Sequence, residues 1–136
     1  MMIIKQILFA ILAIILGEIA LILCTTIAQE VLFNGINSHS SISTIVFGGF
    51  FTFLAAVVAG WVSRIIGRNY TITIPSVISF FILAEITYLI FSGITQDPVW
   101  FDILAGSGLI IGIWIGYHYR EIKSSFYTKT YYPDHL

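Results

Sequence analysis

The sequence predicts an all-α integral membrane protein, a bundle of four transmembrane helices. Three observations carry that expectation: only 10% of residues are charged, mean hydropathy is +0.98, and four apolar runs approach membrane-spanning length. A soluble domain carries about 25% charged residues to cover its surface. Here lipid has to take the place of water. The 136 residues fit a single domain.

A spanning helix needs about 20 apolar residues, because about 30 Å of hydrocarbon is crossed at about 1.5 Å per residue. The first run covers residues 7–28, the second 45–62, the third 74–91 and the fourth 103–119. Between them lie a Ser- and Asn-rich connection over 29–43, a basic one over 63–71, and a third over 92–102 containing Gly93, Asp97 and Pro98. Residues 1–119 thus form the transmembrane domain and 120–136 a cytoplasmic interfacial tail. In that tail Phe126, Tyr127, Tyr131 and Tyr132 stand among Lys123 and Lys129. Such a segment suits the surface of an anionic leaflet.

Orientation follows from charge. All six Lys and Arg residues fall on one side: Lys5, Arg64, Arg68, Arg120, Lys123 and Lys129. The opposite side carries Glu30, Asp97 and Asp102. The positive-inside rule therefore places both termini and the middle connection in the cytoplasm, in a plasma membrane such as a bacterial inner membrane. Trp61 and Tyr70 on the inner side and Trp100 on the outer suit the interfacial aromatic belt. A cleavable signal peptide is not expected, since the first apolar run exceeds the usual core of about 7–15 residues and Glu18 interrupts it. Asn69-Tyr70-Thr71 has the form of a glycosylation acceptor, but on this topology it faces the cytoplasm.

The first and third spans look alike. Leu16-Gly17-Glu18-Ile19 aligns with Leu83-Ala84-Glu85-Ile86, and Thr25 falls opposite Ser92. In the second and fourth, Thr52, Ala56, Gly60 and Arg64 align with Gly108, Gly112, Gly116 and Arg120. Two parallel-repeat hairpins related by a pseudo-two-fold axis along the membrane normal would produce this pattern. In lipid, close packing rather than hydrophobicity joins helices, so small residues spaced by four mark contact faces. Ala56 and Gly60 are expected to meet Gly108, Gly112 and Gly116, either within the chain or between copies.

Glu18 and Glu85 are the residues that point to chemistry. Each stands near the bilayer middle, where an acid costs about 2.5–3.5 kcal/mol, so both are expected to turn into the bundle and serve a site. The alternative role is structural, a protonated acid holding helix register. Thr25 and Ser92 lie seven residues outward of the acids on the same helical faces, and Tyr88 lies one turn from Glu85. No catalytic constellation, metal site or cofactor is expected. The three histidines His39, His118 and His135 form no pair at membrane depth, and the single Cys24 has no internal partner. A net charge of −1 argues against nucleic acid. The function expected is transport or conduction of protons, cations or a small solute past Glu18 and Glu85. The alternative is a non-catalytic accessory or assembly subunit. Lipid, further copies of the chain or a membrane-protein partner are the expected neighbours.

Overall fold

The computed structural model describes residues 2–67, 72–94 and 97–131, with side chains for 3–67, 72–94 and 97–119 of them. The chain forms α1 (Met2–Thr26), extended by a π-helical turn (Ile27–Val31), then α2 (Ile42–Ile66), α3 (Thr73–Ser92) and α4 (Val99–Tyr131). All four helices are long and apolar enough to cross a membrane. Asn69-Tyr70-Thr71, Arg68 and Tyr132 lie outside the described residues, as do the side chains of Arg120, Lys123, Phe126, Tyr127, Lys129 and Tyr131.

Each helix outruns its apolar run, because polar residues continue or cap it. Ser41 closes the start of α2 by accepting the Thr44 N–H at 3.2 Å. Gln29 and Glu30, expected in a loop, belong instead to the π turn, which closes with the Leu32 N–H donating to the Ile27 carbonyl at 3.1 Å. The chain then reverses at Asn34 and Gly35, both left-handed at φ 55° and 85°. Such backbone favours asparagine and glycine. Residues 120–131, expected as a tail along the leaflet, continue α4 without a break. At 33 residues, α4 is about 50 Å long and outreaches a hydrocarbon core of about 30 Å.

The helices form a ring in the order α1, α2, α4, α3. The α2–α4 and α1–α2 pairs pack most extensively, and the α1–α3 seam least. Like helices of the two hairpins are therefore neighbours. A two-fold axis through the ring would have put them across the diagonal, so the expected axis does not describe this packing.

The α2–α4 contact is close because glycine allows it. A Cβ at Gly60 would collide with the Ile113 carbonyl, and one at Gly116 with the Val57 carbonyl. One at Gly112 would stand 2.7 Å from the Ala56 Cβ and 3.0 Å from the Phe53 carbonyl oxygen. Gly108, expected in the same stripe, departs from it: a Cβ there would meet nothing within 4 Å. On the other side of α2, a Cβ at Gly17 of α1 would collide with the Ser63 hydroxyl.

The core is lopsided. Ala56, Ala59, Ile74, Ile78, Ile113 and Tyr117 are fully buried, and all lie in the halves of α2, α3 and the apolar span of α4 (Val99–Tyr119) nearer the termini. Tyr117 Oη donates to the Gly67 carbonyl at 2.8 Å, closing the end of α2, and the Arg64 guanidinium lies 5.2 Å from its ring centroid. Trp114 Nε1 donates to Ser79 Oγ at 3.1 Å, and Ser79 Oγ donates to the Pro75 carbonyl at 2.7 Å. His118 stacks on Trp114 at 5.5 Å. Towards the other end α2 and α4 part, and the outer half of α3 from Leu83 onward has no buried residue. The ring's exterior is apolar on every side, with Leu8, Phe47, Phe80 and Trp100 among the exposed side chains. Such a surface requires lipid around it.

Tyr117→Phe should cost about 1–3 kcal/mol, because it leaves the Gly67 carbonyl buried without its donor. Reversible unfolding in detergent micelles measures this. An unshifted midpoint would show that the hydroxyl contributes nothing.

Candidate functional site

The loosest seam holds the two acids. Where α1 and α3 run side by side, a groove of about 730 Å³ opens on the flank of the bundle. Its walls include Ile11, Ile15, Ile22 and Phe81, and Glu18 and Glu85 enter it from the two helices. Glu85 stands twelve residues into α3, about 18 Å along its axis, close to the middle of the span. The two rarest side chains of the membrane interior thus share one apolar cleft.

The acids differ in setting. Glu18 is half-buried, and among the described residues its enclosed Oε1 has no hydrogen-bond partner. Glu85 is exposed at the rim. The expectation that both turn into the bundle interior is therefore not met. The interior is filled by Ile78, Ile82 and Ala13, and the acids occupy the flank.

The hydroxyls expected to accompany them are engaged elsewhere. Thr25 Oγ1 donates to the Leu21 carbonyl at 2.7 Å, and Ser92 Oγ donates to the Leu89 carbonyl at 3.2 Å. Tyr88 is 63% exposed, and none of the three lines the groove. Hydroxyls on a helix commonly satisfy themselves on the preceding turn in this way. Helical phase suggested Thr25 and Ser92 as companions of the acids and carried no information about this capture.

At the opposite end from the termini, the first and third connections are tied together. Asp97 Oδ1 accepts the Ser38 N–H at 2.8 Å. The Ser38 hydroxyl lies beside the same carboxyl. The neighbouring Ser38 hydroxyl and N–H, with a smaller contribution from His39, hold the Asp97 carboxyl below its ordinary range. The sign follows. A depressed carboxyl stabilises the tie above its unfolded value of about 3.9, and the tie is lost as pH falls through the lower folded value. Hydrogen exchange at the Ser38 amide, corrected for its intrinsic rate, should show constant protection near neutral pH and loss only below about pH 4. Asp97→Ala should abolish the protection at every pH. Equal exchange in the two proteins would mean the tie is absent in solution.

No protein-family model, curated protein or solved structure matches this chain. Fold and exterior therefore define its class directly: it is a multi-pass membrane protein built as an all-α four-helix bundle.

Proposed function

We propose that the chain moves protons, cations or a small cationic solute across the membrane by way of the α1–α3 groove, with Glu18 and Glu85 as the groups that take up the charge. The observation behind this reading is that two helices bring an acid each to one cleft at membrane depth. A carboxyl in such a place is expensive unless it is protonated or compensated. Binding a proton or cation there relieves that cost, and release restores it, which is the property an exchange site requires. The basic residues, all on one side of the spans, support a cytoplasmic location for both termini and a plasma or bacterial inner membrane.

Reconstitution into vesicles with an imposed proton or cation gradient tests the proposal. Flux above that of empty vesicles is expected, and it should vanish when both acids become glutamine. Flux equal to that of empty vesicles for every gradient tried overturns it.

A second reading has its own support. Glu85 is exposed on the bundle flank, where a partner's helix carrying a basic or hydroxyl group would satisfy it. In that case the chain is an accessory or assembly subunit. Purification from native membranes in mild detergent separates the two: a stable hetero-complex favours the subunit, and a homo-oligomer favours the transporter.

A further inference from the structure

The helix pair that is tightest near the termini opens at its other end. Gly60, Gly112 and Gly116 bring α2 and α4 into backbone contact, whereas Cβ atoms at Gly49 and Gly108 would meet nothing within 4 Å. Between these two glycines and the π turn lies a second cavity, of about 310 Å³, separate from the acidic groove. Packing does not require its glycines. They keep a space that any larger side chain would occupy.

The walls of this space are apolar, with Phe53 and Phe101 contributing rings. Its polar side chains are Gln29 and Thr52. Thr52 is buried, and Gln29 Nε2 donates to its Oγ1 at 3.5 Å, a long and weak contact. An amide has two N–H donors and an oxygen acceptor, so this one bond leaves Gln29 with capacity to spare. Gln29 reaches the cavity from the π turn, a distortion often found at functional sites. Among the described residues no ionisable side chain lines the cavity. A charged guest would lose its hydration without gaining a counterion. A neutral guest with one hydrogen-bonding group finds both an apolar cleft and a partner.

The geometry points to a binding site in this cavity for a small neutral molecule, apolar in body, with a single hydroxyl or carbonyl head held by Gln29 and Thr52. A volume of about 300 Å³ lies at the lower end for ligand pockets, which suits a molecule of one ring. The site is independent of the charge-carrying groove and stands whether or not the chain transports anything.

Fluorine NMR on the full chain in micelles tests it with two probes of similar shape, 4-fluorophenol and 4-fluorotoluene. The wild-type protein should bind 4-fluorophenol saturably. Gly108→Leu fills the cavity and should weaken that binding at least about tenfold, with the melting temperature held or raised. Gln29→Leu should weaken 4-fluorophenol about tenfold and leave 4-fluorotoluene unchanged. Should Gly108→Leu fail to fold, Gly49→Val serves as the filling variant, since its Cβ also enters open space. Undiminished 4-fluorophenol binding in a folded filling variant would mean partition into the micelle and overturn the site. If Gln29→Leu affects both probes alike, or neither, the hydrogen-bonding head is refuted.

Discussion

Gly116→Leu is expected to force α4 off α2 and destabilise the bundle by about 3 kcal/mol, the upper range for overpacking a close contact. At this position even the first added carbon collides with the Val57 carbonyl, and it would stand 2.7 Å from the Val57 carbonyl carbon and 3.0 Å from the Trp61 nitrogen. These are backbone atoms and cannot rotate out of the way as a side chain would. Lipid offers no hydrophobic force to hold the separated helices together, so the lost contact is not recovered elsewhere. Gly108→Leu is the matched control. It lies two turns away in the same stripe, meets open space, and should change stability by less than about 1 kcal/mol. Detergent-driven unfolding of the two variants measures the difference. If both unfold at the wild-type midpoint, the helices do not meet through these glycines.

Replacing Glu18 and Glu85 together by glutamine should reduce flux to the level of empty vesicles while leaving the protein as stable as before, or more so. Glutamine keeps the shape and removes the charge, and an acid at the middle of a membrane costs about 2.5–3.5 kcal/mol. The single variants should differ. Glu18 has an enclosed oxygen without a partner, whereas Glu85 stands at the rim. Loss of one charge-assisted contact at Glu18 should lower flux about 10- to 100-fold, and Glu85→Gln should cost less. Stability provides the second readout. An acid that only holds helix register would lower the melting temperature when replaced, and flux would fall merely in proportion to folded protein. Unchanged flux in the double variant would remove the groove from any transport path.

Glu18 and Glu85 were legible from the sequence because an acid within a span is rare and costly, so its presence asks for a reason. Gly60, Gly112 and Gly116 were legible because spacing by four places small residues on one stripe. What could not be read was how far that stripe stays closed. Gly108 continues the pattern, yet it borders a cavity, since α2 and α4 diverge there. Gln29 was read as loop because polar residues after an apolar run look like an exit from the membrane. The π turn carries it on as helix. Gly17, Ser63 and Ser79 gave no signal of their packing roles beyond being small, and nothing in the pattern paired Ser79 with Trp114.

The number of spans, the up-and-down order of the helices and the positions of the two acids along them follow from the sequence alone, because hydrocarbon thickness and the cost of exposed backbone leave almost no other solution for four apolar runs. Which faces meet was decided only by the tertiary structure. In a soluble helix the apolar stripe marks the buried side, but in a membrane both the lipid-facing and the packed sides are apolar, and the stripe disappears. Contact then depends on shape: glycine against a carbonyl, tyrosine against the end of a helix. Shape complementarity between distant segments has no counterpart in the periodicity of either one, so the acids' shared groove and the cavity beside Gln29 emerge only once the ring has closed.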